Sequence, residues 1–144
     1  MTKLTQAITI LLLMHCIGSV QANEPLVVVV NKANPVAELS RSELIDLFMG
    51  KYVAFPNDDM AIPVELNGNH KIKVEFYQEL VGMPLSRVNA YWSRLRFTGR
   101  KRAAVFKANE IDLIAFIIAN KQAIGYVPQS LITEDLKVVY ILNE

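Results

Sequence analysis

The residues with the most chemistry per unit length sit in one short turn, Asn67-Gly-Asn-His-Lys71. Two carboxamides, an imidazole and an ammonium supply hydrogen-bond donors there. A helix is expected to follow directly, over Lys71 to Val81, because Val74, Tyr77 and Leu80/Val81 recur at helical spacing before Gly82 and Pro84. The start of such a helix presents unpaired backbone N–H groups and the positive end of its dipole, a combination that holds oxyanions. Asn67, Asn69, His70 and Lys71 are therefore the candidate ligand-binding residues. An ordinary strand-to-helix turn is the competing reading. Pro35 to Ser42, ahead of another helix, is a second turn of the same kind.

Catalytic chemistry finds little purchase. His70 is the single histidine beyond the first 22 residues, and in a polar turn with no nucleophile beside it an imidazole reads as a surface residue. The chain has no serine nucleophile elbow, no phosphate-cradling glycine loop and no zinc-ligand spacing. Asp58 and Asp59 are adjacent, but beside Pro56 and Asn57 they read as a solvated turn, and the alternating oxygen ligands of a calcium loop are missing. The expectation is a protein that is not an enzyme, with no metal and no cofactor.

The elements that must position the turn are legible on either side. Leu26 to Val30 is a continuous apolar, β-branched run, the pattern of a strand buried on both faces, which favours a parallel sheet between helices. Asn31-Lys-Ala-Asn-Pro35 breaks it. Ser40 with Glu43 forms a capping box, Leu39 and Leu44 a hydrophobic staple, and Gly50 stands where a left-handed C-terminal residue belongs. Ala61 to Leu66 alternates Ile62, Val64 and Leu66 as a strand. Leu85, Val88, Trp92 and Leu95 line one face of a further helix ending near Thr98-Gly99, so the single tryptophan is expected to pack. Asn109 is positioned to cap a last helix through Asn120. Ala123 to Val127 and Leu136 to Leu142 are the closing strands, with Gly125 placed to let its strand run close to a neighbouring backbone. The expected order is strand, helix, strand, three helices, two strands: an α/β layer fold with a small mixed sheet flanked by helices.

Residues 1–22 read as an export signal: Lys3 gives a positive start, Ala7 to Met14 an apolar run, and Val20-Gln-Ala22 a small-residue cleavage site after Ala22. The apolar run is short of the roughly 20 residues that span a bilayer. Cys16 is the one cysteine, and His15 ahead of it does not suit lipidation. Residues 23–144 then form one cysteine-free domain of 122 residues, compatible with an oxidising periplasm. Basic and acidic side chains balance there at 14 each, so no nucleic-acid partner is expected. Arg94, Arg96, Arg100, Lys101, Arg102 and Lys107 make a local basic stretch, read as a solvated helix end and loop with an anion or partner site as the alternative.

Taken in order, Asn31-Lys-Ala-Asn-Pro-Val36, Glu43-Leu-Ile-Asp-Leu-Phe-Met-Gly-Lys51, Ile62-Pro-Val64, Phe76, Ala90-Tyr-Trp-Ser-Arg94, Phe97-Thr-Gly99 and Ala123-Ile-Gly-Tyr-Val127 resemble the periplasmic phosphate-binding proteins of ABC importers, in particular their short, single-lobe members. The resemblance runs from Leu26 to Val127. It implies one lobe of a type 2 periplasmic binding protein, inorganic phosphate or another oxyanion as ligand, and an inner-membrane transporter as partner. Full-length members carry an Arg and then a Ser-Gly-Thr run at the strand-to-helix turn. Aligned on Phe76, this chain has Leu66 at the Arg position and His70-Lys71-Ile72 at Ser-Gly-Thr. Leucine cannot replace a bidentate guanidinium, so the resemblance implies a degenerate oxyanion site. An open half-site would need a homodimer or a partner protein as its second wall. The alternative reading is a lobe turned into a periplasmic adaptor or sensory partner of a membrane signalling receptor.

Overall fold

The apolar run that opens the domain becomes the middle of a sheet. In the computed structural model, which describes residues 23–143, Leu26 to Val30 are fully buried within strand β1 (Leu26–Asn31). The remaining elements are α1 (Arg41–Phe48), β2 (Ile62–Leu66), α2 (Lys71–Val81), α3 (Leu85–Phe97), β3 (Val105–Lys107), α4 (Glu110–Ala119), β4 (Ala123–Pro128), a 3-10 turn at Gln129–Leu131, and β5 (Leu136–Ile141). The export-signal reading and its cleavage site fall on residues 1–22, outside the described residues. Among the described residues no helix is long and apolar enough to cross a membrane.

The five strands form one mixed sheet in the order β3-β2-β4-β1-β5. β2 runs parallel to both β3 and β4, whereas β1 is antiparallel to β4 and to β5. Burial on both faces was the correct inference for β1, and parallel pairing was not. Helices cover both faces of this strand whichever way its neighbours run, so hydrophobicity carries no information about direction. β3 is the one strand without a counterpart in the expected order. Three residues with a half-exposed Val105 and an exposed Phe106 have no alternation to detect.

The helix boundaries follow their chemistry closely. Ser40 and Glu43 form the expected capping box, with the Ser40 N–H donating to Glu43 Oε2 at 2.7 Å. Those bonds from Ser40, the backbone one first, hold the Glu43 carboxyl below the usual carboxylate range. Gly50 follows α1 at φ +74°, and a β-carbon there would stand 2.3 Å from Trp92 Cη2. The left-handed turn and the close seat of the indole ring both require glycine at this point. Trp92 is only 5% exposed and packs as expected.

One face of the sheet carries α4; the other carries α1 and α2, with α3 against α2. On the latter side Phe76 stacks on Tyr126 at 3.9 Å between centroids and meets the edge of Phe48 at 4.8 Å. On the α4 side, a β-carbon at Gly125 would stand 2.9 Å from Ile117 Cδ1, 3.1 Å from Leu113 Cδ2 and 3.3 Å from the Val64 carbonyl oxygen. The close approach expected at Gly125 is therefore chiefly to helix side chains, and only then to backbone.

The motif after β1 closes the scaffold at the far end of α4. Asn31 Nδ2 donates to the carbonyls of Ile117 and Ile118 at 3.2 and 2.8 Å, and Asn34 Nδ2 to that of Lys121 at 2.8 Å. Carbonyls that a helix leaves unpaired at its C-terminus are thereby satisfied from the neighbouring strand.

Candidate functional site

Parallel pairing of β2 and β3, with Leu66 opposite Lys107, brings the turns that follow these strands to one end of the sheet. The Asn67 N–H donates to the Lys107 carbonyl at 2.9 Å and locks the two turns together. Helices α2 and α4 both begin there, so two helix N-termini meet. His70 is the N-cap of α2, and Asn109 the N-cap of α4 through a 2.9 Å bond from the Asp112 N–H.

The imidazole of His70 occupies the place an anion would take. Its Nδ1 accepts the Ile72 N–H at 3.3 Å, which leaves Nε2 as the nitrogen that carries the ring proton. Nε2 lies 3.5 Å from Glu110 Oε2, in the first turn of α4. A backbone donor of the helix start is thus used internally, and a carboxylate stands against the same ring. Asn67, Asn69 and Lys71 are exposed around it. The four sequence candidates are contiguous in space, but Glu110 joins them, and its negative charge opposes an incoming oxyanion.

The second candidate turn is built into the scaffold. The Ser40 hydroxyl is engaged with Glu43, and Arg41 donates from Nε to the Leu80 carbonyl at 2.9 Å and from Nη2 to that of Glu79 at 3.1 Å. These bonds finish the C-terminus of α2 and leave Arg41 committed.

Directly behind the first turn lies a buried charged cluster that the sequence did not disclose. Glu65 on β2 is fully buried. Its Oε1 accepts the Tyr77 hydroxyl at 2.6 Å and lies 3.9 Å from Lys73 Nζ; its Oε2 accepts a short bond from Arg102 Nη2. Arg102 Nη2 also donates to the Tyr77 oxygen at 2.8 Å, and the Tyr126 hydroxyl accepts the Leu66 N–H at 3.2 Å. The guanidinium lies 4.6 Å from the Trp92 ring and 5.2 Å from Phe106; Lys73 Nζ lies 5.0 Å from Phe106. Burial pushes the Lys73 ammonium down from its ordinary value, Glu65 pulls it back up, and Arg102 lowers it again. Tyr77 is pushed well up, first by burial and then by Glu65; Tyr126 is raised by the same two causes in the same order.

Arg102 corrects the expectation of a solvated basic stretch. It turns inward, and Arg100 Nη2 donates to the Gly50 carbonyl at 2.8 Å, while Arg94, Arg96 and Lys101 remain exposed. The only trace in the sequence was Glu65 itself, an acid inside a strand whose neighbours are apolar. Among the described residues no group of three or more His, Cys, Asp or Glu side chains is arranged to hold a metal ion.

The fold matches solved structures at probability 1.00. A Clostridium perfringens protein assigned as a phosphate ABC transporter substrate-binding protein, with phosphate bound, aligns at a TM-score of 0.66 and 16% identity over 81% of this chain. An ABC-type phosphate transport receptor from Vibrio cholerae aligns at 0.64 and 18% over 81%, and a candidate phosphate-binding protein from Planctomyces limnophilus at 0.58 and 17% over 81%. The chain spans 44%, 45% and 40% of these three proteins, under half of each. No family model matches the chain, and no curated relative does. The expected α/β fold, a small mixed sheet flanked by helices, is the fold observed, and part of each of these proteins shares it.

Proposed function

We propose that this chain is a non-enzymatic, exported solute-binding-like protein with a degenerate oxyanion site at the β2–α2 turn. The observation that carries this reading is His70, whose ring caps the helix start and meets Glu110 at 3.5 Å. An oxyanion must displace or outcompete that contact, and it does so against the Glu110 charge. Asn67, Asn69 and Lys71 remain as exposed donors, so phosphate binds weakly and without selectivity among oxyanions. One lobe supplies donors from one side, and a second copy or a membrane partner, such as an importer, would supply the rest.

Titration calorimetry of the chain from Asn23 with inorganic phosphate tests this. The expected dissociation constant is about 1 mM or weaker, and Glu110→Gln should tighten it several-fold. Micromolar binding by the unaltered protein would overturn the degeneracy, and absence of heat up to about 100 mM phosphate at constant ionic strength would overturn the binding role.

A second reading, a periplasmic adaptor or sensory partner of a membrane signalling receptor, draws on Phe97. This ring is 95% exposed at the end of α3, next to Arg94 and Arg96. Exposed aromatic and arginine side chains together are what protein interfaces favour. A receptor recovered from envelope extracts on the unaltered chain, and lost with Phe97→Ser, would favour the adaptor over the binder.

A further inference from the structure

Two surface features of opposite charge stand at different places on this chain, and each lacks a partner. The first is a half-open groove of about 260 Å3 beside α1. Leu47 and Phe55, both buried, and the exposed Tyr52 supply its apolar surface, and Glu43, Asp46 and Asp58 add carboxylates to its lining. Among the described residues the one cation within 4 Å of these carboxylates is Lys51, 3.6 Å from Asp46, so the groove keeps a net negative charge. Sites for small organic molecules run to about 300–1,000 Å3. This groove is smaller and open to one side, the scale of a single protruding side chain.

The second feature is the end of α3. Phe97 is 95% exposed there, more than any other large apolar side chain among the described residues. Arg94, Arg96, Arg100 and Lys101 flank it in the sequence, all of them exposed, and among the described residues none has a carboxylate within 4 Å. A ring held out in water loses hydrophobic free energy that a partner surface recovers. Aromatic and arginine side chains together are what the centres of interfaces favour.

The two features complement each other in shape and in charge. A ring projects from one, and the other offers an aromatic-lined recess of side-chain size. Cations without counter-charges flank the ring, and carboxylates line the recess. Because Phe97 stands in solvent, it does not fill the groove of its own chain. We propose that this chain associates with further copies of itself, the Phe97 end of α3 in one copy seated in the Tyr52–Phe55 groove of the next. Such a contact joins two different patches and leaves one tip and one groove free, so copies add head to tail. It also leaves the oxyanion turn open, because residues 52–60 lead into the start of β2 and the turn follows its end. Phosphate binding and self-association can therefore fail separately.

Sedimentation equilibrium of the chain from Asn23, between about 20 μM and 1 mM, tests this. A contact made by one ring and its charged rim belongs to the small class, below about 1,200 Å2. A dissociation constant of about 0.1–1 mM is expected in about 50 mM salt, and one several-fold weaker in about 500 mM. The weight-average mass should then exceed that of two copies at about 1 mM. Phe97→Ser removes the tip and keeps the groove. Tyr52→Ser with Asp58→Asn strips the groove and keeps the tip; asparagine suits the left-handed backbone of Asp58, at φ +67°. Each variant alone should stay single. Mixed in equal amounts they should form two-copy complexes and nothing larger, since one supplies the intact groove and the other the intact tip. That pairing also shows both variants to be folded. A chain that stays single at about 1 mM in low salt, its Phe97 left for another protein, overturns the inference. So do variants that associate as the unaltered chain does, a mixture that stays single, or a mixture that grows beyond two copies.

Discussion

Replacing Glu65 by glutamine keeps the shape of the side chain and removes the one negative charge of the buried cluster. The consequences can be worked contact by contact. Arg102 loses its ionic acceptor, and Lys73, 3.9 Å away and 4% exposed, loses its only counter-charge in the cluster. The Tyr77 hydroxyl, which donates to Oε1 at 2.6 Å, can still donate to an amide oxygen there, but the amide NH2 in the Oε2 position must then face the Arg102 donor. Removing one partner of a buried ion pair costs about 3–5 kcal/mol. Domains of this size hold about 5–15 kcal/mol in total, so Glu65→Gln should bring the protein close to unfolding. Urea denaturation at neutral pH followed by Trp92 fluorescence measures it; with a slope of about 1–3 kcal/mol per molar urea the midpoint should fall by roughly 2 M. Should the variant be too unstable to titrate, Lys73→Met in the same background restores part of the loss by removing a stranded cation. The triple change Glu65→Leu, Lys73→Met, Arg102→Met should lie near or above the unaltered protein, since well-packed apolar groups replace a buried ionic cluster at little cost. A loss below about 1 kcal/mol for Glu65→Gln would refute the reasoning, because that is the value of a solvated surface pair.

The two buried tyrosines predict an alkaline limb: Tyr77 and Tyr126 keep their protons in the fold, while in the unfolded chain they ionise near pH 10. Above that pH the native state binds more protons, so stability should fall by about 1.4 kcal/mol per pH unit for each tyrosine, and Tyr77→Phe should halve the slope of urea stability against pH. Lys73 acts with the opposite sign: its native value is lowered, the unfolded chain binds the extra proton, and stability should rise with pH until about 10.4 and flatten there. Gly125→Ala should cost about 1–3 kcal/mol in the same denaturation assay by pressing on Ile117 Cδ1 and Leu113 Cδ2; adding Ile117→Val, which deletes that Cδ1, should return part of it.

Local chemistry was legible wherever a residue acts on its own neighbours. The Ser40–Glu43 box, the Asn109 cap, the left-handed Gly50 and the helix stop at Gly82 depend on residues a few positions apart, and each stands where the sequence placed it. Lys71 to Val81 and its stop were readable for the same reason. What failed were properties set at long range. The direction of β1 depends on strands more than 90 residues later, and its apolar run is the same either way. β3 is three residues long and owes its existence to pairing with β2. Glu65 was passed over because Ile62, Val64 and Leu66 suggested a strand with one wet face. Helices on both sides of the sheet leave no wet face, so the acid is carried inside and must recruit Lys73 and Tyr77 from α2 and Arg102 from the loop after α3. No local pattern announces such a meeting.

The candidate turn shows the same division between local and distant causes. Its side chains were correctly gathered as a group, yet what they can do is decided by residues elsewhere in the chain. Glu110 arrives from α4 and neutralises the attraction that His70 and the helix dipole would exert. Lys73, two residues into the same helix, points its charge inward to Glu65 instead of outward to solvent. Arg102, the strongest anion receptor in the neighbourhood, is drawn under the sheet by that same carboxylate. Of the cations near the turn, only Lys71 stays exposed in the sequence from Asn67 to Lys73. Positive charge has therefore been moved from the end of the sheet to its α3 side, where it meets aromatic walls. What the turn keeps for an anion is the exposed Lys71, Asn67 and Asn69, opposed by Glu110, which suits a weakly held, hydrated oxyanion.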